Sequence, residues 1–256
     1  ENHPYGLSYP ESAYDELRRE DLVAFYRTHY TASNGFAVCS GRVEEAGREA
    51  LIALLEQLPE GEQPTPIPFP PIEQTREVRL KHEGAVQSSI RIGRRLFGRE
   101  HPDFVGMQVV AVALGGYFGS RLMQNLREQH GYTYGAYAAM INLDQSGYFV
   151  MSADVANEHT QSAVEEMFGE LERIASEPMS EEELAIVRKI IVGDAMRVFD
   201  GPFGAADVTI ENIMCGMDNS ATEESVRRIF SITPKEIKAL AEKYLHHDDL
   251  VVVVAG

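Results

Sequence analysis

The chain has 256 residues, more than a usual single domain, so one complete domain plus a substantial part of another is expected. A formal charge of -17 and a pI near 4.9 argue against a nucleic-acid partner, because phosphate binding needs a basic face. Cys39 and Cys215 are too few and too far apart for a disulfide framework or a cysteine-based zinc module, and both are expected as buried free thiols; no apolar run approaches the roughly 18 residues of a membrane span.

In chain order, helical periodicity first appears over residues 11–29, where Leu22, Phe25 and Tyr26 recur at three- and four-residue spacing. A strand is expected over 35–41, then an amphipathic helix over 43–58 with Leu51, Leu54, Leu55 and Leu58 on one face. The run PTPIPFPP, residues 64–71, forbids both a helix and a central strand, and reads as an extended interdomain linker. Beyond it, strands are expected over 76–81 and 85–93, and helices over 101–114 and 119–129. Two antiparallel strands follow over 132–143 and 147–155, joined at Asp144-Gln145-Ser146.

The remainder is helical, with Val164, Met167, Phe168, Leu171 and Ile174 forming one core-facing stripe. Between Glu158 and Glu183 stand nine glutamates, which read as solvated helix faces. Ser180 with Glu183, and Thr233 with Glu236, have the spacing of capping boxes, with Pro234 at the first helical position of the second. These satisfy orphan amide donors and receive no catalytic part.

Sliding the chain against itself by about 215 positions aligns Asp21 with Glu236, Leu22 with Ile237, Phe25 with Leu240, Val38 with Val253 and Gly41 with Gly256, without a gap. Helix, connector, strand and terminal glycine coincide although identity is slight. The pattern implies a two-unit protein of which the first unit is present only as its tail, with roughly 170 residues expected ahead of Glu1. Glu1-Asn2-His3 does not start a signal peptide, and the sequence leaves the compartment open between cell envelope and cytoplasm.

The segment LGGYFGSRLMQNLREQHGYTYG, residues 114–135, resembles the non-catalytic half of the pitrilysin/insulinase family of zinc peptidases. The resemblance is carried by Gly115, Gly116, Ser120, Arg121, Leu122, Leu126, Arg127, Glu128, Gly131 and Tyr134. It extends to HPYG at residues 3–6 and EDLVAFYRTHYTASN at 20–34, which look like the passage closing the catalytic unit. The resemblance implies an α+β fold, an antiparallel sheet with helices packed on it, as in the processing-peptidase half-unit (LuxS/MPP-like metallohydrolase fold). It implies residues 1–61 as the tail of the catalytic unit, 62–72 as linker and 73–256 as the non-catalytic domain. It also assigns Arg127 and Tyr134 to the substrate, two donors offered to a peptide whose cleavage is catalysed from the other half.

The zinc ligands of this family come from an inverted His-x-x-Glu-His motif in that other half. None of the eight histidines here begins that motif or His-Glu-x-x-His, so this chain is expected to hold no catalytic zinc and to be inactive alone. Zinc belongs to the catalytic half, whether that half is part of the same polypeptide or a partner subunit. His246-His247-Asp248-Asp249 is the only cluster of ligand-like composition and reads as a solvated connector at a helix C-terminus.

His130 reads as a helix-terminal surface residue. Tyr132 would share a strand face with Tyr134 and is assigned to packing or to lining a subsite. Gly115, Gly116 and Gly119 read as a tight turn with close helix approach, since no phosphate-loop lysine follows. The function implied is an inactive domain that binds peptide and completes the active site of a zinc endopeptidase. A non-catalytic scaffold or assembly subunit of the same fold is the alternative.

Overall fold

A computed structural model describes residues 6, 9–62, 65, 76–143 and 146–256. Most of the proline-rich linker, most of HPYG and two residues of the 144–146 turn lie outside them. The chain divides into two compact units, residues 1–73 and 74–256.

In the first unit, α1 (Glu11–Asp15) and α2 (Arg19–His29) are separate helices, where the sequence suggested one. Asp21 accepts a hydrogen bond from the Arg18 amide at 3.0 Å and so starts α2. After a 3-10 turn at Ala32–Asn34, residues 35–40 belong to no helix or strand, and then α3 (Glu45–Leu55) follows. The strand expected over 35–41 is not formed: its residues have no paired neighbour among the described residues, and a strand is defined by its partner. Cys39, on this segment, is exposed rather than buried, and Cys215 in the second unit is half-buried.

The second unit is built on a five-stranded sheet in the order β1-β5-β2-β4-β3. Its strands are β1 (Glu77–Leu80), β2 (Gln87–Leu96), β3 (Ala136–Leu143), β4 (Ser146–Ala156) and β5 (Val251–Ala255). The β2–β4, β3–β4 and β2–β5 pairs are antiparallel, as expected, but β1 and β5 pair in parallel, so the sheet is mixed. The reason is topological: β5 returns after all the helices to lie between β1 and β2, and must run against one and with the other.

Period-two alternation places Ile90 and Ile92 of β2, Met151 and Ala153 of β4 and Ala136 and Ala138 of β3 on the face covered by helices, all buried. Against that face lies α4 (Phe104–Gly115), apolar all round and correspondingly buried. Also contributing are α5 (Thr160–Ser176), through Val164, Met167, Leu171 and Ile174, and α9 (Pro234–Tyr244), through Ile237 and Leu240. The outer helices are α6 (Glu181–Val198), α7 (Pro202–Met214) and α8 (Ser220–Ser231).

The cap at Thr233 and Glu236 is reciprocal, as expected. The one at Ser180 is half a box. Ser180 accepts from the Glu183 amide at 3.1 Å, but the Glu183 carboxylate is taken by Arg121.

The internal repeat is visible in the elements. Shifted by the same interval of about 215 residues, α2 falls on α9 end to end, the 3-10 turn Ala32–Asn34 on the 3-10 turn His247–Asp249, and residues 36–40 on β5. The environments differ. Leu22 and Phe25 are each 59% exposed, whereas their counterparts Ile237 and Leu240 are 0% and 8% exposed.

Two predictions follow from this packing. A Cβ on Gly115 would fall on the Ala138 amide nitrogen and the Tyr137 carbonyl carbon, so Gly115→Ala must push α4 away from β3; thermal or urea unfolding should report a loss of roughly 1–3 kcal/mol. Asp103, which opens α4, accepts from the Tyr244 hydroxyl at 2.6 Å and from Lys243 Nζ at 2.9 Å. The Tyr244 bond first, and Lys243 after it, hold the Asp103 carboxyl below its ordinary value of 3.8 against the opposing effect of burial, while hydrogen bonding to Tyr244 first and to Asp103 second pushes Lys243 up to about 12. A depressed carboxylate contributes stability above its unfolded pKa and loses it as pH falls through the folded value. Acid unfolding curves of Tyr244→Phe should therefore be flatter below about pH 4 than those of the parent.

Candidate functional site

The site is assembled where α4 ends. The contact of Gly115 with β3 brings the chain to the sheet edge, and residues 116–119 reverse it into a second helical segment. Ser120, Leu122 and Leu126 are buried on the inner side of that segment. Arg121 forms a two-pronged pair with Glu183, Nε to Oε1 at 2.7 Å and Nη2 to Oε2 at 2.9 Å. Burial works to lower the pKa of Arg121, but the Glu183 hydrogen bonds and charge outweigh it and raise the value.

The segment is wound as a π-helix over Met123–Gln129, a geometry that residue spacing did not reveal. The His130 amide donates to the Asn125 carbonyl five residues back at 3.1 Å, and the Tyr132 amide to Leu126 at 2.8 Å. Gly131 then takes a left-handed φ of 66°, which turns the chain into the loop before β3.

Tyr134 sits in that loop, two residues ahead of β3, and not on a strand as expected. Thr133 explains the delay: its hydroxyl bonds the Asp154 carbonyl at 2.7 Å and the Gly135 carbonyl at 2.9 Å, and accepts from the Gly135 amide at 3.1 Å. These local bonds replace ladder pairing for residues 132–135. Tyr134 is left 92% exposed.

Arg127 lies on the π-helix with its guanidinium 4.5 Å from the centre of the Phe118 ring, and its Nε is 3.5 Å from Glu128 Oε1. Arg127 and Tyr134 line one open pocket of about 460 Å³, together with Gln87, Tyr132, Thr133, Asp154 and His159. Tyr132 is stacked between His130 and His159, with ring centres 4.9 and 4.6 Å away, and forms one wall.

Sequence reasoning did not find Gln87, Asp154 or His159. They come from β2, from β4 and from the turn after it, and only strand pairing brings them beside Arg127. The pocket thus joins a fixed cation, a phenol and a carboxylate in a water-accessible recess, an arrangement suited to holding a polar chain by hydrogen bonds.

Among the described residues no three His, Cys, Asp or Glu side chains converge as a metal site. Of the 246–249 cluster, Asp248 is paired with Arg76 at 3.4 Å and Asp249 with Arg94 at 2.7 Å, while His247 packs on Phe168. Among the described residues no helix is long and apolar enough to cross a membrane.

The fold is of the α+β class, a five-stranded sheet with helices packed on one face. A family model described as the peptidase M16 inactive domain matches residues 16–191, and the chain belongs to that family, whose members are the pitrilysin/insulinase zinc metallopeptidases. An uncharacterized zinc protease of Mycobacterium tuberculosis is 26% identical over 255 residues, covering 95% of this chain and 57% of that protein. One of Streptomyces coelicolor is 23% identical, covering 90% and 51%. The chain thus spans about half the length of the curated relatives it matches.

Among solved structures, the peptidase M16 inactive domain from Pseudomonas fluorescens superposes with a TM-score of 0.84 at 21% identity, covering 96% of this chain and 59% of that one. A chain of complex III2 from Candida albicans superposes with a TM-score of 0.77 at 16% identity, covering 96% and 60%.

Arg121, although close in sequence to Arg127, is bound to Glu183 and serves the packing of α6. Replacing it by leucine strands the Glu183 carboxylate, and denaturant unfolding should show a loss of roughly 1–3 kcal/mol.

Proposed function

We propose that the chain is the metal-free half of a zinc endopeptidase, holding peptide substrate for a catalytic half that carries the zinc. On this reading residues 1–61 close the catalytic unit, 62–72 link the two, and 73–256 are the inactive domain, each unit having the LuxS/MPP-like fold. The exposed apolar face of α2 supports the division. Leu22 and Phe25 repeat the positions of Ile237 and Leu240, whose burial requires a sheet and neighbouring helices that residues 9–62 do not themselves supply. The catalytic half is the partner, in the same polypeptide or as a separate subunit, and a peptide is the ligand.

The observation that carries the reading is the convergence of Arg127 and Tyr134 on one pocket. Peptide hydrolysis moves negative charge onto the scissile carbonyl oxygen, and donors already in place around that oxygen lower the barrier without reorganising. Arg127 supplies a fixed positive charge held in direction by the Phe118 ring, and Tyr134 supplies a hydroxyl donor from a loop pinned by Thr133. Zinc in the companion half would polarise the same carbonyl.

A second reading, a scaffold or assembly subunit without turnover, is supported by the likeness to a chain of complex III2 from Candida albicans. The sequence of the companion half separates the two: an intact His-x-x-Glu-His supports the peptidase, and a degenerate one the scaffold.

In the full-length, zinc-loaded protein, Arg127→Ala and Tyr134→Phe should each lower kcat by about 10²- to 10³-fold, the effect of losing one preorganised donor, with zinc content unchanged. Steady-state kinetics identical to those of the parent would discard the assignment.

A further inference from the structure

We infer that Asn125 is a positioning residue, and that its bonds to Glu166 and Glu170 of α5 hold the π-helix in the winding that aims Arg127 into the pocket; this rests on the role proposed for Arg127. Asn125 and Arg127 are two residues apart, so they project from roughly opposite sides of the helix. Arg127 faces the pocket, while Asn125, 3% exposed, faces α5.

The Asn125 Nδ2 donates to Glu166 Oε2 at 2.8 Å and to Glu170 Oε1 at 2.8 Å. Both partners are carboxylates, so the amide nitrogen and not its oxygen must point at them. Glu166 and Glu170 stand one turn apart on the same face of α5, where their charges repel unless something bridges them. Asn125 bridges them. Arg173 accompanies it, donating to Glu170 Oε1 at 2.6 Å, and His130 Nε2 lies 3.7 Å from Glu166 Oε1. Glu170 is 2% exposed, which makes this an interior fixture rather than a surface charge pair.

The reason for a fixture is the winding. A π-turn is rare and is found mostly at functional sites, because without an external hold the segment gains better hydrogen-bond geometry by relaxing to an α-helix. Relaxation would move the His130 amide from the Asn125 carbonyl to that of Leu126, which the Tyr132 amide already occupies. Residues past the change would turn by about 100° each time one residue is taken out of the winding. Arg127 would then leave the pocket while remaining on a helix. Asn125 holds the start of this winding from the buried side, and the Tyr132 bond holds its end.

The test uses full-length, zinc-loaded enzyme and four single variants, with one double. Asn125→Leu keeps the branching of the side chain and removes the donor. It should lower kcat roughly 10- to 100-fold with KM within about twofold, since a displacement on the order of 1 Å at a reacting centre has that effect. In an Arg127→Ala background the same change should alter kcat less than about twofold, because the group it positions is gone.

Glu170→Gln retains an acceptor for the Asn125 amide and should stay near the parent kcat, whereas Glu170→Leu should behave like Asn125→Leu. That pair decides the question by itself if Asn125→Leu does not fold. A loss from Asn125→Leu that persists in full beside Arg127→Ala would overturn the positioning role and mark Asn125 as merely structural. An unchanged kcat in Asn125→Leu, with Arg127→Ala impaired, would also overturn it while leaving the substrate role of Arg127 intact. A silent Arg127→Ala would sink both.

Discussion

The close approach of α4 to β3 at Gly115 is the contact on which the rest of the second unit depends. With no Cβ at that position, the last turn of a wholly apolar helix lies against the backbone of an edge strand. The chain therefore leaves the core at the corner of the sheet instead of above its middle. Arg127 and Tyr134 are placed by this exit: the helical segment with Arg127 starts there, and the loop with Tyr134 returns to the same strand. Any side chain at 115 would separate the two layers and open the corner.

Charge within this unit is sorted by depth. The surface is strongly acidic, yet three of the glutamates between 158 and 183 are structural: Glu170 and Glu166 meet Asn125, and Glu183 meets Arg121. Each gives up a solvated position for partners that satisfy its oxygens, as a carboxylate removed from water requires. The same helices that make the protein acidic also grip the segment carrying Arg127. Acidity and site geometry are thus two aspects of one packing arrangement.

The two units show what a partner does to the same local code. Helix, 3-10 turn and the segment after them recur at a constant interval, and in the second unit they become a buried helix and a strand between two others. In the first unit the helix presents its apolar face to solvent and the segment after the turn stays unpaired among the described residues. Cys39 makes the contrast concrete: its repeat counterpart is Val254, which is buried, whereas Cys39 is exposed. Burial was a fair expectation from residue type and failed for want of neighbours.

Periodicity, capping residues and the glycine pattern were enough to locate α4, the segment after it, α5, the starts of α6 and α9, four strands within a few residues, the repeat and the family, because these are written in local spacing; α7 and α8 were read only as part of one helical block. Arg127 and Tyr134, proposed for the substrate, come from the motif that contains them. Spacing could not reveal that the segment around Arg127 is a π-helix, since one inserted residue alters hydrogen-bond partners without altering composition. Nor could it show that Tyr134 precedes the strand, that β5 pairs in parallel with β1, or that Asp154 and His159 share a pocket with Arg127. Those outcomes are settled by which distant groups compete for the same backbone and side-chain partners, and that competition exists only once the sheet has closed.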